Sequence, residues 1–155
     1  MSELQIGDIA PEFTLPADGG REISLSDHKG KTVVLYFYPK DNTPGCTKQA
    51  CSFQDNLNDF NKFGTVILGL SKDSVKKHEN FKKKYNLDFP LLSDENSDIC
   101  EKYGVWKEKS MYGKKFWGIE RSTFLIDTNG KISHIWRKVK VPGHVEEVKE
   151  TVKGD

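Results

Sequence analysis

At 155 residues the chain has the length of one ordinary domain, able to bury roughly 70% of its unfolded surface in a single core without disulfide or metal support. Hydrophobic residues make up 35% and charged residues 30%, a globular rather than a disordered balance. The 24 Lys and Arg are interleaved with 23 Asp and Glu for a net charge of +1, which leaves no broad field for nucleic acid or an anionic membrane surface.

The longest apolar run, Val33 to Tyr38, is far shorter than the ~18 residues of a membrane span. Met1 to Pro11 carries Glu3 and Asp8 and has neither the basic start nor the apolar run of a signal peptide, so the expected compartment is the cytoplasm. Thiols there are mostly reduced, and three cysteines are too few and of the wrong parity for a disulfide framework. Cys46 and Cys51 are therefore candidates for metal ligation, catalysis or simple core packing.

No repeat, low-complexity tract or linker interrupts the sequence, and one domain over 1–155 is expected. Thr32-Val-Val-Leu-Tyr-Phe-Tyr38 and Thr65-Val-Ile-Leu-Gly-Leu70 lack polar alternation and read as buried parallel strands. Between them Ala50, Phe53, Leu57 and Phe60 recur at helical spacing, which predicts one helix from about Cys46 to Phe63 and hence a β-α-β unit. A second helix follows over Ser74 to Tyr85, with Ser74 as N-cap and Val75, Phe81 and Tyr85 inward. A short strand is expected near Pro90 to Leu92 and a helix over Ser97 to Tyr103, ending at Gly104.

Ser122 to Ile126 and Ile132 to Trp136 flank Asn129-Gly130, the preferred pair of a two-residue hairpin turn. A last helix from Gly143 to Lys153 places Val145, Val148 and Val152 on one face. Parallel strands first, an antiparallel hairpin last and helices on both faces give an α/β, thioredoxin-like three-layer sandwich with a central mixed sheet.

The chemistry concentrates where the strand ending at Tyr38 runs into Pro39-Lys-Asp-Asn-Thr-Pro-Gly-Cys46. Pro39 ends the strand, and Thr43-Pro44 reads as a cap followed by a first helical residue. Cys46 then lies in the first helical turn, where unpaired N–H groups and the positive end of the helix dipole favour a thiolate. At ~100° per residue it points within ~40° of the Ala50, Phe53, Leu57, Phe60 stripe, towards the sheet. A lone cysteine on such a stripe is most often a small buried hydrophobe; the Pro-Gly step and a second cysteine nearby favour reactivity.

Cys51 sits about 140° around the helix with its Cα ~8.5 Å from that of Cys46. A disulfide needs roughly 4.4–6.8 Å, so the two cannot bridge while the helix is intact. A protein disulfide oxidoreductase would use the tighter C-x-x-C spacing. A metal site built from Cys46, Cys51, Cys100 and His78 would lack paired ligand spacing. The four histidines, His28, His78, His134 and His144, form no recognisable catalytic grouping and are expected on the surface or in strands. Cys100, inside a helix, is expected to be a buried structural thiol.

Pro39-x-x-x-Thr43-x-x-Cys46 with Cys51 following resembles the active-site segment of peroxiredoxins of the Q type, the bacterioferritin comigratory protein subfamily. Ala10-Pro-Glu-Phe-Thr14, Leu92-Ser-Asp94, Tyr103-Gly-Val-Trp106 and Gly118 to Asp127 are similar to other landmarks of that family, so the resemblance runs nearly the full length. It implies a thiol peroxidase acting on hydrogen peroxide and organic hydroperoxides in antioxidant defence, with Cys46 as the peroxidatic and Cys51 as the resolving cysteine. It further implies that Thr43 donates a hydrogen bond to the peroxide and that Arg121 steadies the thiolate and the O–O bond. Pro39 would shield the site, and the N–H groups of Gly45 and Cys46 would help bind substrate. No metal or cofactor is implied. The implied partners are the peroxide and thioredoxin or a similar dithiol protein, which would recycle an intramolecular Cys46–Cys51 disulfide in a monomer.

Overall fold

The computed structural model describes residues 3–154. Its centre is a five-stranded sheet in the order β5-β4-β3-β8-β9, formed by β3 (Thr32–Phe37), β4 (Thr65–Ser71), β5 (Leu91–Ser93), β8 (Ser122–Ile126) and β9 (Ile132–Trp136). β3 pairs parallel with β4 and antiparallel with β8. The apolar run of β3 has no polar alternation because both faces are covered. Val33, Leu35 and Phe37 pack into one core, and Val34, Tyr36 and Tyr38 into the other.

The second core lies under α1 (Pro44–Asp55), α2 (Leu57–Lys62), α3 (Val75–Tyr85) and α5 (His144–Gly154), which supply Ala50, Phe53, Phe60, Phe81, Val145, Val148 and Val152. The opposite face is closed by the short α4 (Ile99–Lys102) and by a small hairpin of β1 (Thr14–Pro16) and β2 (Glu22–Ser24). The three-layer, mixed-sheet architecture expected of the sequence is thus present, with one helical layer much thinner than the other.

The single helix expected over Cys46 to Phe63 is two. It breaks at Asn56 (φ −104, ψ 5), whose side-chain amide donates back to Ser52 O at 2.8 Å and competes with continued helical bonding. The inward face of α3 is built on His78 and Phe81, while Val75 and Tyr85 are half-buried. The helix expected over Ser97 to Tyr103 is confined to α4.

The chain also makes a hairpin that periodicity did not predict, β6 (Trp106–Met111) with β7 (Lys114–Ile119). Its turn residues Tyr112 (φ 53) and Gly113 (φ 76) both have positive φ, the requirement of a two-residue primed turn. At Asn129-Gly130 only Gly130 does. There Asp127 accepts from the N–H groups of Asn129 (2.9 Å) and Lys131 (3.0 Å) and fixes a longer, bulged connection.

Candidate active site

Parallel pairing of β3 with β4, and the register Phe37↔Ser122 with β8, bring three chain segments to the same end of the sheet. These are the 38–43 loop, the N-terminus of α1 and Arg121, the residue just before β8. Pro39, half-buried, marks the exit from the strand. Pro44 is the first residue of α1, where a missing N–H costs nothing.

Thr43 is the N-cap by backbone (φ −94, ψ 156), but its side chain does not cap the helix. Its hydroxyl donates to Lys40 O at 2.9 Å instead. A capping oxygen would accept from the second or third helical N–H, here those of Gly45 and Cys46. Both are left without a partner inside the helix, next to the positive end of its dipole. Its hydrogen is committed to Lys40 O, so Thr43 Oγ1 has only lone pairs left to offer another group.

Cys46 is 2% exposed and packs with Ala50, Phe53 and Phe60, on the stripe its helical position predicts. Arg121 Nη2 donates to its Sγ at 3.3 Å. The other guanidinium nitrogen, Nη1, donates to Gln49 Oε1 at 2.5 Å. Gln49 follows Cys46 by three positions and shares its helix face, so one side of α1 supplies both the sulfur and the group that aims the guanidinium. Gln49 is fully buried, and its Nε2 has no partner among the described residues. A Cβ on Gly45 would stand 3.3 Å from Arg121 Nη2, so the absence of a side chain there lets the guanidinium approach. Lys109 on β6 adds a second cation nearby, its amine pushed down by burial and then by Arg121.

Cys51 is half-buried on the same unbroken helix, and burial, then the Asp55 carboxylate, pushes its thiol up. Cys100 is fully buried and its thiol is pushed far up by burial and Asp94, so it stays protonated and out of reach. Two of the four histidines depart from expectation: His78 is wholly buried and His144 is 6% exposed, each filling a polar gap between elements, whereas His134 lies in β9 and His28 is half-buried. His144 Nε2 meets Thr123 Oγ1 at 2.8 Å.

Cys46, Cys51 and Cys100 do not come together with His78 in a metal-ligand cluster among the described residues. The one grouping of that kind is Asp41, Asp73 and His78, with ligand atoms within 4.8 Å of one another. Both ring nitrogens of His78 and both carboxylate oxygens of Asp41 already hold hydrogen bonds. Sequence reasoning passed over Gln49 and Asp41. Gln49 had one available signal, its i+3 spacing from Cys46; the burial of Asp41 depends on elements far away in the chain.

Residues 6–135 match the model of the AhpC/TSA family. A Bcp-named peroxiredoxin of Coxiella burnetii is 60% identical over 145 residues, covering 94% of this chain and 96% of the relative. The crystal structure of a peroxiredoxin Q mutant from Xylella fastidiosa superposes with a TM-score of 0.93 at 43% identity, covering 99% of this chain and 98% of that one. A structure of the Xanthomonas campestris bacterioferritin comigratory protein, described for its alkyl peroxide reduction activity, gives a TM-score of 0.87 at 47% identity over 92% of this chain and 90% of that one. With a buried cysteine at a helix N-terminus under an arginine, this chain belongs to the AhpC/TSA family and, within it, to the Bcp or Q-type peroxiredoxins, a class of thiol peroxidases.

Proposed function

We propose that the chain reduces hydrogen peroxide and organic hydroperoxides at Cys46 and resolves the product through Cys51. The observation that carries this reading is the 3.3 Å contact of Arg121 Nη2 with Cys46 Sγ at an uncapped helix N-terminus. A thiolate there attacks the nearer peroxide oxygen, forming an S–O bond as the O–O bond breaks. Sulfur loses two electrons and becomes a sulfenic acid, and the leaving alkoxide or hydroxide takes up a proton as alcohol or water. Arg121 and the N–H groups of Gly45 and Cys46 meet the charge that moves onto the leaving oxygen. Thr43 Oγ1 accepts the hydroperoxide hydrogen, and Pro39 limits access of water.

Cys51 then attacks the sulfenic sulfur, an S–S bond forms and water leaves. A dithiol protein of the thioredoxin kind returns both cysteines to thiols by exchange. In this reading one domain over 1–155 works as a monomer in the cytoplasm. Among the described residues no helix is long and apolar enough to cross a membrane. The alkyl peroxide activity described for the Xanthomonas relative supports an organic substrate. Stopped-flow oxidation by hydrogen peroxide and by cumene hydroperoxide tests the reading. Both should oxidise Cys46 stoichiometrically and far faster than free cysteine, and Cys46→Ser should abolish the reaction. Undiminished turnover in Cys46→Ser would refute it.

A further inference from the structure

A buried polar network lies beneath the loop that carries Pro39 and Thr43, and the peroxide chemistry just described does not use it. Its hub is the Asp41 carboxylate, 4% exposed. Tyr38 Oη donates to Asp41 Oδ1 at 2.5 Å, and His78 Nδ1 meets Oδ2 at 2.6 Å. The backbone N–H of Asp41 donates to Asp73 Oδ2 at 2.7 Å, an oxygen that also accepts from Ser71 Oγ at 2.8 Å. On its far side the His78 ring reaches Leu92 O at 2.8 Å. A carbonyl only accepts, so Nε2 carries a hydrogen. Ser93 Oγ closes the far edge on Asp73 O at 2.6 Å.

The partners come from the end of β3, the end of β4, α3 and β5. All converge on the middle of a short loop, which is tied to α3 on its exposed side as well, where Asn42 Oδ1 accepts from Tyr85 Oη at 3.1 Å and Lys84 Nζ at 3.4 Å. Asn42, the next residue, turns the loop at φ 61, in the left-handed region that asparagine adopts more readily than most non-glycine residues. Thr43 comes next, with its hydroxyl bonded back to Lys40 O inside the same loop. Asp41 lies inside the turn that this bond closes, so displacing it should disturb Lys40 and Thr43 together.

We propose that Asp41 and His78 form a buried clamp that positions the Thr43 hydroxyl for the peroxide, so that both are positioning residues for the oxidation step. The proposal rests on the peroxidase reading and adds a specific division of labour. The clamp fixes the loop side of the site, whereas the sulfur itself is held by α1, Arg121 and Gln49. Loss of the clamp should then impair reaction with a peroxide, which uses Thr43, and spare reaction with an electrophile that does not.

The test compares wild type, Asp41→Ala, Asp41→Asn and His78→Gln in two reactions of Cys46: stopped-flow oxidation by hydrogen peroxide, and alkylation by iodoacetamide followed on the Cys46 peptide by mass spectrometry. Asp41→Ala should slow peroxide oxidation at least 10-fold with alkylation changed less than 2-fold. Asp41→Asn keeps an acceptor for Tyr38 and offers an amide hydrogen to Nδ1 of a neutral ring, so it should recover most of the rate. His78→Gln, which reaches only one of the two partners, should fall in between. The inference is overturned if Asp41→Ala keeps its peroxide rate, if both reactions fall in parallel, or if Asp41→Asn is no better than Asp41→Ala. If wild-type Cys46 alkylates readily but reacts with peroxide no faster than free cysteine, the peroxidase reading fails, and the clamp's role fails with it.

Discussion

At the scale of single residues, the site is a set of donors whose ordinary partners have been withheld or redirected. Thr43 caps nothing, which frees two helix N–H groups, and Arg121 divides its two terminal nitrogens between Cys46 and Gln49. Replacing Arg121 with Lys removes the fork that serves both partners, and should slow Cys46 oxidation by about 100-fold in stopped-flow traces, the scale of losing one preorganised donor. Gln49→Leu leaves Arg121 in place but removes its anchor. We expect a loss of about 10-fold, corresponding to one charge-assisted hydrogen bond; an unchanged rate would show that Gln49 does not aim the guanidinium. Thr43, Pro44 and Cys46 could be located from local sequence because caps and first turns are governed by neighbours. Arg121 lies 75 residues from Cys46. Its place follows from strand register, so the residues alone gave no sign of it and only the family resemblance pointed there.

At the scale of elements, the important boundary is Asn56. Because α1 stops there and α2 starts afresh, unwinding that lets Cys51 approach Cys46 has a natural limit and need not disturb Phe60, buried in α2. Amide exchange should therefore rise across 43–55 after oxidation by one equivalent of peroxide and stay unchanged across 57–62. Protection in α1 that survives oxidation would mean that Cys51 does not travel. Continuous apolar periodicity hid this break, since Leu57 and Phe60 continue the stripe of Ala50 and Phe53 while the interruption is a side chain bonding to its own backbone. The central strands and the inward valines of α5 were legible because burial on both faces, or on one helical face, writes itself into hydrophobic spacing. β6 and β7 were not legible. Their residues are rich in lysine and mostly exposed or half-buried, with Ile119 the one buried side chain, so no apolar face sets a period.

At the scale of the whole molecule, one buried histidine couples stability to pH. Burial is the chief cause that holds His144 down at about 4, with Arg121 adding to it and Glu147 opposing it. The unfolded chain would take up that proton near pH 6.5. Between about pH 6.5 and pH 4 the unfolded state thus binds a proton the folded state refuses, and stability falls as the pH is lowered through that window. Thermal unfolding followed by circular dichroism at pH 7, 5 and 4 should show this decline. In His144→Gln, which keeps a hydrogen-bonding group for Thr123, the slope should be shallower; an identical slope would assign the decline to other groups. The measurement that bears most directly on the account as a whole is peptide mass spectrometry of the protein oxidised by one equivalent of hydrogen peroxide, run alongside non-reducing electrophoresis. The account predicts a Cys46–Cys51 linkage within a single chain, and Cys51→Ser arrested at the sulfenic acid or over-oxidised after one fast reaction with peroxide. A linkage from Cys46 to Cys100 or to a second chain would contradict it.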